Sequence, residues 1–219
     1  MSIKENLLNI KTSLPDNVTL VAVSKTKPVS DLMEAYDAGQ RIFGENKIQE
    51  MTEKHQQMPK DIQWHMIGHV QSNKVKYMIP YVKLIHGVDS LKLLKEINRH
   101  AVRWRKKVDC LLQIHIAEEE TKFGLNEIEL NEILQSEEFK TLNNIKIVGL
   151  MAMATFTDNQ DQIKKEFNHL HTIFEKSKQL NTQNCQLSTL SIGMSNDYQL
   201  AIECGSTMIR IGSSIFGSR

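Results

Sequence analysis

The chain has 219 residues, of which 40% are hydrophobic and 24% are charged, a composition typical of a soluble globular protein with one core. Its 27 lysines and arginines nearly balance its 26 aspartates and glutamates, so the net charge of +1 excludes a strong field for nucleic acid or an anionic membrane. Three separated cysteines argue against a disulfide framework and a structural zinc site, and no segment is apolar enough for a signal peptide or a membrane span. These features predict a protein of the reducing cytoplasm.

Short β-rich runs recur along the chain and predict eight strands. In chain order they are residues 18–23, 41–43, 62–68, 84–89, 108–116, 145–153, 187–193 and 207–212. Segments with a 3.6-residue hydrophobic period lie between them and predict helices. The clearest are residues 29–39, 45–58, 90–104, 126–135 and 161–180. Residues such as Ser90, Asn126 and Asp158 are typical N-caps at the starts of these segments.

The alternation of strands and helices predicts a parallel α/β sheet of eight units, with about 27 residues in each. A doubly wound open sheet is one arrangement that fits. Eight regular units with several strands apolar on both faces fit a closed (β/α)8 TIM barrel better. No linker, low-complexity tract or repeat marks a second domain, so we expect residues 1–219 to form a single domain. The functional groups of such a barrel lie at its mouth, where strands end and the next loops begin.

The first predicted strand runs directly into Lys25, Lys27 and Pro28. Because proline favours an extended conformation in the residue before it, the period-2 geometry of a strand predicts that both lysines face the same side. Repulsion between the two ammonium groups and partial desolvation would lower a lysine pKa and leave a neutral amine that attacks an aldehyde. The spacing is also compatible with two solvated loop lysines, and this alternative stays open.

The last predicted strand contains Arg210 and is followed by Gly212, Ser213 and Ser214. Glycine allows a phosphate to approach backbone N–H groups, and a helix N-terminus adds partial positive charge. The loops after strands seven and eight are also the usual phosphate site of this kind of barrel. Ser195, which follows strand seven, can add a hydroxyl donor. The two loops predict a phosphate-binding cradle, with ordinary turns and an N-cap role for Ser195 as the alternative.

A lysine that faces a phosphate cradle across the mouth suits a phosphorylated aldehyde, and pyridoxal 5′-phosphate is the obvious candidate. In order and over nearly the whole chain, eight segments resemble the YggS/PROSC family of pyridoxal phosphate homeostasis proteins. They are VAVSKTKP (21–28), FGENKIQE (43–50), WHMIGHVQSNK (64–74), IHGVDS (85–90), TKFG (121–124), GLMAMAT (149–155), SIGMSND (191–197) and STMIRIGSSIFG (206–217). Several long motifs in the right order make the resemblance highly specific.

The resemblance implies a barrel like the N-terminal domain of alanine racemase, with pyridoxal phosphate bound to Lys25 as an internal aldimine. It also implies that Arg210 contacts the pyridine nitrogen. The phosphate is then held by Ser195, Gly212 and Ser213. Two further pocket residues, at the ends of the second and third strands, follow from the same resemblance: Asn46 and His65. No catalytic residue and no metal ligand is implied.

An arginine at the pyridine nitrogen disfavours its protonation, which makes the ring a weaker electron sink. A racemase of the resembled fold also needs a tyrosine base, delivered by an additional domain of a partner subunit. This chain stops directly after the eighth unit, and none of its four tyrosines lies in a segment predicted to face the pocket. We therefore expect a monomeric carrier that regulates vitamin B6 and, indirectly, amino-acid pools, and not an enzyme. The alternatives left open are a pyridoxal phosphate-dependent amino-acid racemase and a phosphate-binding barrel enzyme that forms no bond to lysine.

The expected partners are pyridoxal phosphate, free amino acids and, transiently, apoenzymes that use the cofactor. Neither nucleic acid nor a membrane is expected to bind.

Seven scattered histidines are expected to have surface or core roles. They are His55, His69, His86, His100, His115, His169 and His171.

Overall fold

The computed structural model describes residues 2–119, 121–180 and 182–217. Within these residues eight strands alternate with helices, and each strand pairs in parallel with the next one along the chain. The eighth strand pairs in parallel with the first, so the sheet closes on itself. The predicted (β/α)8 barrel is confirmed.

The bounds of the elements follow the predicted alternation. The strands are β1 Thr19–Val23, β2 Ile42–Glu45, β3 Gln63–Met66, β4 Val82–Val88, β5 Val108–Gln113, β6 Ile145–Met151, β7 Cys185–Ser191 and β8 Met208–Ile211. The helices are α1 Ile3–Ser13, α2 Val29–Asp37, α3 Ile48–Gln57, α4 Val75–Met78, α5 Leu91–Arg103, α6 Glu127–Gln135, α7 Glu137–Lys140, α8 Gln160–Ser177, α9 Tyr198–Glu203 and α10 Ser213–Phe216. A 3₁₀ turn, Ser72–Lys74, precedes α4.

Several strands end earlier than the hydrophobic runs predict. β5 ends at Gln113 and β6 at Met151, although the apolar sequence continues for two or three residues beyond each. Ile114 and Ala152, which follow them, are fully buried in loops that lead over the mouth. Buried loop residues are apolar just as buried strand residues are, so the length of a hydrophobic run overestimates the length of the strand.

Local side-chain chemistry sets where helices begin. The Ser90 side chain accepts a hydrogen bond from the Leu93 N–H, and Asn126 forms a capping box at the start of α6. Both predicted N-caps are confirmed. The prediction for α8 is wrong by one residue, because the Asn159 side chain, and not that of Asp158, accepts the bond from the first turn.

The core has an outer and an inner layer. The outer layer lies between the strands and the apolar faces of the helices. The inner layer fills the barrel with five buried side chains: Val21, Leu84, Leu111, Met151 and Met208. Two residues after Leu84 on β4 comes His86, and two residues after Met208 on β8 comes Arg210. The inward positions therefore change from apolar to polar toward the mouth.

The first and last helices of the described chain contact each other. Asn6 Nδ2 on α1 donates a hydrogen bond to the Ile215 carbonyl on α10, at 3.1 Å.

Among the described residues, none of the helices is both long enough and apolar enough to span a membrane. The three cysteines are all free and buried.

Candidate functional site

All the site residues predicted from the sequence lie at the mouth of the barrel or just below it. They are Lys25 after β1, Asn46 after β2, His65 in β3, Ser195 after β7, Arg210 in β8, Gly212 after β8 and Ser213 at the start of α10. The register of β1 and β2 pairs Val23 with Gly44, so Lys25 and Asn46 each lie two residues beyond this pair. Closure of the barrel brings to one end residues that are far apart in the sequence.

Lys25 is half-buried and lies in a turn. Thr26, the next residue, has a φ of 65°, and the Lys27 N–H donates to the Ser24 carbonyl at 3.1 Å. A turn at Lys25 and Thr26 therefore interrupts the strand-like alternation on which the prediction that both lysines face the same side depended. Lys27 Nζ donates to the carbonyl of Phe216 at 2.9 Å, which gives this lysine a structural role at the end of α10.

Arg210 is held by Ser191 at the end of β7 and by Ala152, which directly follows β6. Its Nη1 donates to the carbonyl and to the hydroxyl of Ser191, both at 2.7 Å, and its Nη2 donates to the Ala152 carbonyl at 3.0 Å. Burial lowers the pKa of Arg210 to about 10, while the carboxylate of Asp197 acts in the opposite direction. The side chain therefore stays a cation at neutral pH and cannot accept a hydrogen bond. A fixed positive charge lies beneath the mouth.

A buried hydrogen-bond chain runs from Arg210 across the barrel. Ser191 Oγ lies 3.2 Å from His86 Nδ1, and His86 Nε2 lies 3.0 Å from His65 Nδ1. Because arginine only donates, Ser191 Oγ accepts its N–H, and the same hydroxyl forms a hydrogen bond with His86, whose other ring nitrogen is bonded to His65. Burial lowers the pKa of His65 to about 3 and the pKa of His86 well below its usual value, so both rings are neutral. His65 thus ends a chain that begins at Arg210.

The loops after β7 and β8 meet at the predicted phosphate cradle. The Gly212 N–H points to Ser195 Oγ at 3.4 Å. A Cβ on Gly212 would lie 3.1 Å from the Val23 carbonyl oxygen, so a side chain there would crowd the end of β1. The N-cap of α9 is Asp197, so the alternative N-cap role for Ser195 is wrong. The Ser195 hydroxyl and the first amides of α10, which begins at Ser213, lie in adjoining loops.

The loop that carries Ser195 is fixed to the barrel wall. Gly193 has a φ of 97°, a conformation that favours glycine, and its carbonyl accepts a hydrogen bond from the Arg210 N–H at 2.9 Å. The carboxylate of Asp197 accepts from the Met194 N–H at 2.6 Å, and burial raises the pKa of that carboxyl. The loop therefore holds the position of Ser195 relative to β8.

Sequence reasoning missed three polar residues in and around the site: His86 contacts His65, whereas Lys54 and Glu45 contact Ser24, the residue before Lys25. His86 was expected to have only a surface or core role, and Glu45 and Lys54 were not considered. Lys54 follows Met51 by three residues and Ile48 by six, on the buried face of α3. A lysine on an apolar helix face is unusual and is the signal that could have identified it.

Comparison with known proteins identifies a family over the full chain. The model of the alanine racemase N-terminal domain matches residues 1–219. The pyridoxal phosphate homeostasis protein of Pasteurella multocida (strain Pm70) is 38% identical, with 100% of this chain and 98% of the relative covered. The protein of the same name from Escherichia coli (strain K12) is 36% identical, with 94% of this chain and 87% of the relative covered.

Solved structures agree with this family. PipY of Synechococcus elongatus PCC7942, solved without and with pyridoxal phosphate bound, superposes with TM-scores of 0.92 and 0.90 at 34% identity. The match covers 99% of this chain and 100% of PipY. Alanine racemase of Clostridium difficile 630 superposes with a TM-score of 0.78 at 15% identity, over 100% of this chain and 57% of the racemase. At that identity the racemase shares the fold alone.

Proposed function

The chain belongs to the alanine racemase N-terminal domain family and to its pyridoxal phosphate homeostasis proteins, and we propose that it holds pyridoxal 5′-phosphate covalently on Lys25 in intracellular cofactor homeostasis. Effects on amino-acid metabolism then follow indirectly, through the enzymes that need the cofactor. The observation that carries the proposal is that a half-buried lysine, a buried arginine and a hydroxyl–amide cradle share one barrel mouth. The pyridoxal phosphate bound in the PipY structure supports the choice of cofactor.

The donor set at the mouth fits this cofactor. Pyridoxal phosphate supplies an aldehyde that reacts with a primary amine, together with a pyridine nitrogen and a phosphate. Lys25 offers the amine, Arg210 offers N–H donors, and Ser195 and Gly212 offer a hydroxyl and a backbone N–H. The missing Cβ of Gly212 lets this loop pack against the end of β1, where a side chain would crowd the Val23 carbonyl.

Each proposed site residue has a distinct task. Lys25 is assigned the covalent bond, and Asn46 and His65 complete the wall of the pocket. Arg210 can only donate, so it keeps the ring nitrogen unprotonated.

The phosphate-binding part of the site is assigned to Ser195, Gly212 and Ser213. A hydroxyl and backbone amides next to a helical turn are suited to anionic oxygens. Because the Gly193 carbonyl is bonded to the backbone of β8, the loop after β7 can hold the phosphate at a fixed distance from Arg210.

The contacts of two of the four tyrosines support a carrier over a racemase. The hydroxyl of Tyr36 donates to the Asp61 carboxylate at 2.9 Å, and the hydroxyls of Tyr81 and Thr52 are 2.8 Å apart. These two tyrosines are therefore occupied away from the mouth and do not supply a second proton carrier for stereoinversion. The fold shared with alanine racemase keeps racemisation as the second candidate function.

The proposal also covers the setting in which the protein works. It acts as a single-domain monomer in the cytoplasm and exchanges cofactor transiently with apoenzymes, while free amino acids enter its open mouth. Light scattering of the purified protein tests the monomer, with a mass near 25.2 kDa as the expected result.

The decisive experiment is to mix the purified protein with pyridoxal phosphate, record the visible spectrum, reduce with borohydride and map the label by mass spectrometry. We expect a visible absorption band and a label on Lys25. The Lys25→Ala variant should lose both, whereas Lys47→Ala, which removes an exposed lysine before α3, should keep them. A colourless protein, or a label on a different lysine, would contradict the proposal.

A second assay separates the carrier from the racemase. The cofactor-loaded protein is incubated with a panel of L-amino acids, and the D-enantiomers are measured. We expect negligible conversion. Sustained conversion of L- to D-amino acids would contradict the carrier function and support the racemase.

A further inference from the structure

The backbone on both sides of Lys25 is bound by two side chains of α3. The Ser24 carbonyl accepts a hydrogen bond from Lys54 Nζ on α3 at 2.8 Å. The Thr26 N–H donates to Glu50 Oε1, also on α3, at 2.6 Å. Lys54 and Glu50 are themselves an ion pair at 2.7 Å. One pair of side chains therefore fixes the peptide groups before and after Lys25.

The cation of this pair has all its donors satisfied. Lys54 Nζ donates to the Ser24 carbonyl, to Glu50 Oε1 and to Glu45 Oε1, the last at 2.8 Å. An ammonium group has three protons, and three acceptors receive them. The Ser24 hydroxyl donates to the same oxygen of Glu45 at 2.6 Å, so the turn is also held through a side chain.

This cluster is buried at an energetic cost. Glu45 and Ser24 have no exposed surface and Lys54 is 5% exposed. Among the described residues Glu45 Oε2 is a buried oxygen without a hydrogen-bond partner, and burial raises the pKa of this carboxyl. Buried ion pairs are often no more stabilising than apolar side chains of the same size, and an unsatisfied buried oxygen adds a penalty. Stability alone does not explain why charged groups occupy this position.

The conformation that the cluster imposes does explain it. Thr26 is β-branched and has a φ of 65°, in the left-handed region that such residues rarely adopt. Such a conformation persists only where the surroundings determine it, and the bond from the Thr26 N–H to Glu50 does so. Without that bond, the turn would relax and the Lys25 Cα–Cβ direction would change.

We propose that Glu50 and Lys54 are positioning residues, which hold the turn around Lys25 so that its amine meets an aldehyde bound at the mouth. They act through the backbone and do not touch the cofactor. This inference rests on the proposed function of Lys25 and adds to it the residues that orient the amine. Small displacements of a reacting group cost large factors in rate, so the effect is expected in the covalent step.

The test uses three substitutions on α3. Glu50→Ala removes the acceptor of the Thr26 N–H, and the residue is partly exposed, so the protein should fold. Glu50→Gln keeps an oxygen that can accept this bond and should restore the behaviour of the original chain. Glu53→Ala removes an exposed carboxylate from the same helix and is the matched control.

Two measurements are made on each variant, in addition to its unfolding midpoint in urea. The first is the rate of covalent labelling of Lys25, followed by borohydride quenching and mass spectrometry. Because this rate is measured as a function of pyridoxal phosphate concentration, it separates the affinity of the first encounter from the maximal rate of the bond-forming step. The second is amide hydrogen exchange of residues 24–27 in the ligand-free protein.

For Glu50→Ala we expect a maximal rate about tenfold lower, an encounter affinity within about twofold of the original, and faster exchange at Thr26. Glu50→Gln and Glu53→Ala should match the original chain in all three quantities.

The outcomes distinguish this inference from the proposed function. If the unchanged protein is not labelled at Lys25, the proposed function fails and the inference falls with it. If Lys25 is labelled at the same maximal rate in Glu50→Ala as in the unchanged protein, the positioning role is overturned while the proposed function stands. Equal losses of affinity and maximal rate together with a lower unfolding midpoint would also overturn it, since the residue would then be structural only.

Discussion

At the scale of single residues, Thr26 shows how a local conformation departs from what its sequence favours. A β-branched residue in the left-handed region costs about 1–2 kcal/mol, because its Cβ crowds the following carbonyl. The side chain of Thr26 is exposed, so burial does not offset this cost. The conformation is held by neighbouring groups, above all by Glu50.

Replacing Thr26 by glycine should therefore stabilise the protein. Glycine adopts a φ of 65° without a steric penalty and still donates its N–H, but it gains entropy in the unfolded chain. We expect the free energy of unfolding in urea to rise by about 0.5–1 kcal/mol.

Gly39→Ala is the reciprocal control for this prediction. Gly39 has a φ of 88°, and a Cβ built on it would meet no atom within 4 Å, so only backbone strain opposes alanine. Its free energy of unfolding should fall by about 1 kcal/mol. A shift of both variants in the same direction would show that conformational strain does not govern these positions.

At the scale of elements, Ser191 joins three strands through one hydroxyl. It lies at the end of β7, accepts from Arg210 of β8 and forms a hydrogen bond with His86 of β4. β4 and β7 are not neighbours in the barrel, so this bond crosses its interior. The polar chain under the mouth therefore links walls that backbone hydrogen bonds do not connect.

Ser191→Ala should be destabilising because it leaves Arg210 and His86 each short of a buried partner. We expect a loss of about 1–3 kcal/mol in the free energy of unfolding, measured by urea denaturation. Ser188→Ala, at an exposed position on the same strand, should change this free energy by less than about 0.5 kcal/mol. Equal losses in the two variants would contradict a special role for the Ser191 hydroxyl.

Features that depend on the pattern of residues close together in the sequence could be predicted. The N-caps Ser90 and Asn126 depend on residues next to them in the sequence, and the strand order followed from the alternation of strands and helices, so both could be predicted. That Lys25 and Arg210 lie at one end of the barrel followed from topology, because the carboxyl ends of parallel strands meet there.

The rest of the site depends on contacts between distant segments. His86 and Ser191 are separated by 105 positions, and only closure of the barrel brings them within hydrogen-bond distance. The turn at Lys25 was missed for a similar reason: the rule for a residue before proline governs Lys27 alone, whereas Glu50 of α3 sets the conformation of Thr26.

At the scale of the whole molecule, the buried histidines couple stability to pH. His65 and His86 stay neutral in the folded protein, with the pKa of His65 at about 3, whereas in the unfolded chain both titrate near 6.5. Below pH 6.5 the unfolded chain therefore binds more protons, so stability is lost as the pH falls. The raised pKa of Glu45 acts with the opposite sign, because the folded state binds that proton more readily.

We expect the free energy of unfolding to fall by about 2–4 kcal/mol between pH 7 and pH 5, since each histidine contributes about 1.4 kcal/mol per pH unit below its unfolded pKa. Urea titrations at several pH values measure this slope. His169→Gln, at an exposed histidine, should leave the slope unchanged. A protein that is equally stable at both pH values would contradict neutral buried rings.

The pairing of β1 with β8 has a consequence for the order of events during synthesis. Lys25 leaves the ribosome long before Arg210 and the loop at Gly212, which come much later in the chain. Under the proposed function, a nascent chain that already exposes Lys25 has nothing to receive the ring nitrogen or the phosphate. We therefore expect the proposed binding of the cofactor only in chains whose translation has passed the eighth strand, and fragments released earlier should remain unloaded.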